Sequence, residues 1–313
     1  MKYKTPNFFI IGTPKAGTTA LQTMLSNHPD VFMSPLKEPH YFSTDFKVEE
    51  FAPDYRRNHL CDLTDYLKAP LLKKIHLAHT PTWEQYSELY RDAGGHKAIG
   101  EASSGYLYST EAAKNIYNKI PSARIIMILR DPVDRAYSHF SMDKASGRVQ
   151  TSSFVAAVER DFQIPSKAWG GKHLYVELGL YYEQVRRYLE VFPSSQIKII
   201  FYDDWVQDNK KVLDEVCKFL EIRTDDWQVA GTIYHKSKKP RFHHLHHLIT
   251  LTRFRELQRK FLPETIRKQL INVWYSSSPR NELAAADRQK LSKLFDNNKQ
   301  KLRVLLGKPG LWV

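Results

Sequence analysis

A lysine set inside a glycine-bounded turn is suited to holding an anion. Gly12-Thr13-Pro14-Lys15-Ala16-Gly17-Thr18-Thr19 is such a turn, placed where the apolar run from Asn7 to Ile11 meets helix-forming residues from Thr18 to Ser26, themselves ended by His28-Pro29. The glycines let the backbone bend tightly and come close to a ligand, so that amide N–H groups and the positive end of the helix dipole face negative charge. Lys15 adds a point charge, Ala16 and Gly17 add backbone, and Thr18 and Thr19 add hydroxyl donors. A loop that grips a nucleoside triphosphate carries its lysine after the second glycine, within reach of the β- and γ-phosphates, with the next hydroxyl on magnesium. Here Thr18 fills that slot and the lysine sits earlier, inside the turn. From there it reaches the atom joining a terminal group to a single 5'-phosphate, which suits a phosphosulfate better than a metal-bound triphosphate. The competing reading is a plain strand-end turn with a solvated lysine.

Arg130 offers a second anion contact. It follows the apolar run Ile125 to Leu129, at the strand end where open α/β sheets place ligands. Asp131 suits a helix N-cap and Pro132 the first helical position, so Arg130 is held by a well-defined helix start. Ser138 lies about two turns into that helix. A guanidinium and a hydroxyl from two elements can grip a phosphate, the guanidinium in bidentate fashion. An ion pair for Arg130 and a backbone-bonded hydroxyl for Ser138 are the alternatives. Two anion sites on one sheet edge suit a ligand phosphorylated at two places.

The elements that must carry these residues alternate. Short strands are expected at Asn7 to Ile11, Ala98 to Gly100, Ile125 to Leu129 and Ile197 to Phe201, and helices at Glu111 to Lys119, Val133 to Lys144, Tyr181 to Val191 and Val212 to Leu220. Strands alternating with helices predict an α/β, three-layer fold resembling the P-loop architecture, with a central parallel sheet flanked by helices. From about residue 231 the chain reads as mainly helical, at Leu248 to Tyr275 and Ala284 to Leu306, with no linker to separate it, so residues 1–313 are expected to form a single domain. At 313 residues and 42% hydrophobic content the chain can bury a full core. Its formal charge of +13 favours anionic partners without choosing among nucleotide, glycan, nucleic acid and membrane surface. Phe8 to Ile11 is far too short for the roughly 20 apolar residues of a membrane span. The basic start leads straight into a strand-like segment, and Cys61 and Cys217 read as reduced thiols, so a cytoplasmic chain with no leader is expected.

Several ordered blocks together carry a resemblance. They are Phe9 to Thr19, His28-Pro29, Lys37-Glu38-Pro39-His40-Tyr41-Phe42, Lys97 to Ser103 with Tyr106-Leu107-Tyr108-Ser109, and Ile128-Leu129-Arg130-Asp131-Pro132-Val133-Asp134-Arg135-Ala136-Tyr137-Ser138. Over about residues 7 to 220 the chain resembles the sulfotransferases that use 3'-phosphoadenosine-5'-phosphosulfate (PAPS), in particular bacterial sulfotransferase-domain proteins and heparan sulfate sulfotransferases.

The resemblance implies transfer of a sulfuryl group from PAPS to a hydroxyl or amine of a small-molecule or glycan acceptor, with a carbohydrate expected. It makes Lys15 to Thr19 the 5'-phosphosulfate loop, Arg130 and Ser138 the 3'-phosphate ligands, Glu38 the catalytic base with His40 beside it, and Glu101 a residue lining the acceptor cleft. Tyr234 to Pro240 departs from the family's closing loop, and Arg280 stands for the basic residue that closes over the nucleotide. No metal, nucleic acid or membrane span is expected. His243, His244, His246 and His247 read as a basic helix face, and Trp83, Tyr86, Tyr90, Tyr106 and Tyr108 as core or sugar-stacking rings. The rival functions are a nucleotide kinase or NTPase and a non-catalytic basic module for polyanions.

Overall fold

Phe8–Gly12 (β1) is apolar along its whole length and wholly buried, because it is the middle strand of a sheet covered on both faces. The other strands of that sheet are Val31–Met33 (β2), Ala98–Ala102 (β5), Arg124–Leu129 (β6) and Ile197–Phe201 (β7), in the order β2-β5-β1-β6-β7, with every neighbouring pair parallel. The computed structural model describes residues 4–53, 55–56, 63–70, 72, 74–76, 80–224, 239–240, 275–276 and 283–313.

Alternation along each strand sorts the core into two layers. Phe9, Ile11, Ile99, Ile125, Met127 and Leu129 face one side, where the helices Ala112–Lys119, Tyr181–Val191 and Asp296–Leu306 contribute Ile116, Tyr188 and Leu302. Phe8, Ile10, Ala98, Ile126 and Ile128 face the other, against Leu21 of the helix Thr18–Leu25 and Leu213 and Cys217 of the helix Asn209–Phe219. Each such aliphatic or aromatic side chain stabilises the fold by about 1.5–3 kcal/mol, so the two layers together hold the sheet edge rigid. The result is the expected three-layer α/β architecture.

The C-terminal helix Asp296–Leu306 packs against Tyr181–Val191, returning to the sheet as expected. Helices at Phe154–Phe162 and Tyr202–Gln207 add to those expected. Two short pairs also go beyond the sequence expectation: Leu36–Lys37 (β3) runs parallel to Ile75–His76 (β4), and Lys239–Pro240 (β8) antiparallel to Tyr275–Ser276 (β9). Two-residue strands carry no period-2 signal, which is why the stretch after Leu220 reads as strandless. Cys61, the histidines 243 to 247 and most of the expected helix from Leu248 lie outside the described residues. Among the described residues, no helix is long and apolar enough to cross a membrane.

Candidate active site

β1 ends at Gly12, where the chain passes close to β6: a Cβ built there would lie 2.6 Å from the Ile128 carbonyl oxygen, at a φ of +156°. Only glycine fits, and the chain can therefore turn at once into Thr13 to Gly17. Lys15 (φ 75°) and Gly17 (φ 109°) are both left-handed. Gly17 is the N-cap of Thr18–Leu25 and places no side-chain acceptor over its first amides, nor is there an acidic residue in the first turn. The Ala20 amide donates to the Gly17 carbonyl at 3.0 Å, while those of Thr18 and Thr19 have no intrahelical acceptor, so this helix start is open to an anion. The helix Pro132–Ala145 shows the opposite case, since Asp131 caps it by accepting from the Val133 and Asp134 amides at 3.0 Å each.

The structure brings the two candidate anion sites together. An Arg130 guanidinium N–H donates to the Lys15 carbonyl at 3.1 Å, although the residues are 115 apart in sequence. The Lys15 Nζ reaches the Pro132–Ala145 helix, 3.6 Å from Met142 Sδ, one turn beyond Ser138. Arg130 is in turn fixed from two sides, its guanidinium 4.3 Å over the Tyr202 ring and its carbonyl accepting from the Tyr181 hydroxyl at 2.9 Å. Ser138 is buried, and its hydroxyl makes no hydrogen bond among the described residues, unlike Ser141, which donates to the Tyr137 carbonyl at 2.8 Å. The backbone-bonded alternative for Ser138 is thus not what the helix adopts. Ala16 differs from expectation in one respect: its amide donates to the Thr13 carbonyl at 3.1 Å and its side chain is buried, so it shapes the loop from within. Thr18 is buried and Thr19 exposed.

Glu38 sits on the same sheet edge. Its amide donates to the Ala102 carbonyl at the end of β5, and the next amide along that strand end, Ser103 N–H, donates to Ile10 of β1, both at 3.0 Å. Its carboxylate is clamped: Ser104 donates its N–H to Oε2 at 2.9 Å and its hydroxyl to Oε1 at 2.8 Å, and Lys37 Nζ lies 2.7 Å from Oε1. His40 Nε2 is 3.7 Å from Oε2, with the ring edge-on to Phe46, Trp169 and Tyr106 at 5.5, 5.7 and 6.3 Å. Glu38 (φ 61°) and His40 (φ 54°) are left-handed without being glycine. Such strain persists only where surrounding structure over-determines it, and it recurs at functional sites. Among the described residues it falls on Lys15, Glu38 and His40, the three singled out for chemistry, and also on Leu174, Glu221 and Trp312.

The pattern of the family described as Sulfotransferase domain matches residues 5–303. The chain belongs to the sulfotransferase-domain family. Among its relatives the chain is 28% identical over 221 residues to the human bifunctional heparan sulfate N-deacetylase/N-sulfotransferase 3, covering 70% of this chain and 22% of that protein. It is 26% identical over 254 residues to rat carbohydrate sulfotransferase 15, covering 69% of this chain and 44% of that protein. The chain therefore spans less than half the length of either curated relative. A solved sulfotransferase from Alicyclobacillus acidocaldarius superposes with a TM-score of 0.67 at 26% identity, covering 97% of both chains.

The remaining residues singled out in the sequence fall in different places. Glu101, expected at an acceptor cleft, is fully buried one layer deeper, because the alternation of β5 turns it to the same face as Ile99. The tyrosines 86, 90 and 106 are likewise buried core rings, while Tyr108 is half-buried beside Trp169, 6.1 Å between ring centroids. Arg280 lies outside the described residues.

Two features were missed by sequence reasoning. Tyr202, which follows β7 at the sheet's carboxyl edge, flanks both Gly17 and Arg130, and its position after a strand was the available signal. Behind Ser138, fully buried Arg135 donates to the Tyr175 carbonyl, and Asp143 accepts from His173 Nδ1 and the Tyr175 hydroxyl, both at 2.8 Å. Burial pushes His139 down to about 3, so a neutral imidazole stands behind Lys15.

Proposed function

We propose that this chain transfers a sulfuryl group from PAPS to a hydroxyl or amine of a glycan. The observation that carries this reading is the 3.1 Å bond from Arg130 to the Lys15 carbonyl, which joins two cationic sites into one surface beside Glu38. An uncapped helix start, an ammonium, a guanidinium and an unengaged hydroxyl fit a nucleotide bearing anionic groups at both the 5' and 3' positions. PAPS supplies the activated sulfuryl group. Lys15 and the loop amides hold its 5' end and neutralise charge that grows on the departing phosphate. Arg130 and Ser138 hold the 3'-phosphate, and Glu38 accepts the proton of the attacking acceptor. Positioning supplies most of the acceleration, as in phosphoryl transfer.

A glycan acceptor is supported by the named activities of the two curated relatives and by a net charge of +13, which favours acidic sugars. The NTPase and polyanion-binding readings both leave the clamped carboxylate of Glu38 without work. The test is labelled-sulfate transfer from PAPS to oligosaccharides, phenols, steroids and amines, run beside calorimetry with adenosine 3',5'-bisphosphate. Label moving to oligosaccharides is the expected result; no transfer to any acceptor together with no heat of nucleotide binding overturns the proposal.

A further inference from the structure

Glu101 is a carboxyl group with no exposed surface, set in the apolar layer beneath the site, and the chemistry described so far gives it no task. Such a group is costly to bury and is kept only where its hydrogen bonds do something specific. Its Oε1 accepts from the Ser103 hydroxyl at 2.5 Å, and its Oε2 accepts from the Tyr86 hydroxyl, which in turn accepts from Tyr90 at 3.1 Å. Ser103 is the neighbour of Ser104, the residue that grips both oxygens of Glu38. The Ser103 amide is tied to Ile10 of β1, so the Ser103-Ser104 turn is fixed at one end by the sheet and at its side chain by Glu101.

We infer that Glu101 is a positioning residue, a buried post that holds the Ser103-Ser104 turn and thereby aims the Glu38 carboxylate. This rests on Glu38 being the base. The groups that face Glu101 are the hydroxyls of Tyr86, Tyr90 and Tyr106, more distantly Tyr188, and the carboxylate of Glu38. Burial raises all four tyrosines above their ordinary 10, so they stay protonated as donors. Burial pushes Glu101 up to about 7, hydrogen bonds from Ser103, Tyr86 and Tyr106 lower it, and the Glu38 charge raises it.

The test uses Glu101→Gln, which keeps the shape, and Ser103→Ala, which removes only the link. Both should lower kcat by roughly 10- to 100-fold through misplacement of the base, with bisphosphate affinity unchanged within about twofold. The double variant should be little worse than the worse single one, because both cut the same connection. Additive losses, or a parallel loss of nucleotide affinity, overturn the positioning role.

A second arm does not depend on turnover. Infrared difference spectra of the carboxyl band, taken from pH 5 to 9, should show a titration near pH 7 that disappears in Glu101→Gln and moves to lower pH in Glu38→Gln. A band that ignores the Glu38 substitution refutes the coupling. If the wild-type chain moves no sulfate, the functional reading fails, while the infrared arm still decides whether the two carboxyls sense each other.

Discussion

Replacing Arg130 with alanine separates its two structural duties. One of its N–H groups donates to the Lys15 carbonyl and the guanidinium lies over Tyr202, which braces the loop, while in the proposed complex the same guanidinium meets the 3'-phosphate. A hydrogen bond to a charged group contributes about 1.5–3 kcal/mol, and a forked contact to a phosphate makes two of them. With part of that returned by water in the free protein, a net loss of about 3 kcal/mol is expected, close to 100-fold in Kd. Calorimetry should compare adenosine 3',5'-bisphosphate with adenosine 5'-phosphate on the same preparations. The wild-type chain should prefer the bisphosphate by about that factor, and Arg130→Ala should bind both nearly alike. Arg130→Lys keeps the charge without the fork and should lose about 10-fold on the bisphosphate. An equal loss on both nucleotides refutes the 3'-phosphate assignment, because it means that Arg130 acts only by bracing the Lys15 loop.

Glu38→Gln should lower kcat by about 10²–10⁴-fold while bisphosphate affinity holds; wild-type turnover in this variant would transfer the base to another group, with His40 the nearest. Gly12→Ala forces a methyl against the Ile128 carbonyl in the middle of the sheet and should cost about 2–4 kcal/mol, read as a fall of several degrees in thermal midpoint; an unchanged midpoint contradicts the close approach. The Asp143–His173 pair sets a pH window. Although burial opposes it, His139, His173 and Tyr175 hold Asp143 below its ordinary 3.8, so its contribution is present above that value and is lost as pH falls through the lower folded pKa. Although burial lowers it, bonding to Asp143 holds His173 above its ordinary 6.5, so its contribution is full below 6.5 and is lost as pH rises through the higher folded pKa. Asp143→Asn should therefore lower the thermal midpoint most between about pH 4 and 6.5 and less at pH 9, and a pH-independent difference would show that the pair is not ionised as described.

Much of the site was legible because its signals are local. A strand buried on both faces is written as an unbroken apolar run, as in Phe8 to Ile11 and Ile125 to Leu129, and a helix start is written as Asp131-Pro132. The turn at Gly12 to Gly17 announces its anion chemistry through residue type and through the place where strand becomes helix. Strand Val31–Met33 and the two-residue ladders are too short to carry a period, and the helix Phe154–Phe162 was not distinguished from its surroundings.

From sequence alone came four of the five main-sheet strands, the parallel α/β class and the residue types that meet an anion, since all three follow from spacing among near neighbours. Tertiary structure decided which of those residues meet. Arg130 touches the Lys15 loop because the sheet sets β6 beside β1, and Ser104 clamps Glu38 because the Glu38 amide is bonded to Ala102 at the end of β5. Glu101 shows the division within one residue: alternation along β5 can turn it inward, but only the packing of Tyr86, Tyr90 and Tyr106 around it makes a buried acid tolerable. Those contacts depend on strand order and helix packing, which no local pattern encodes.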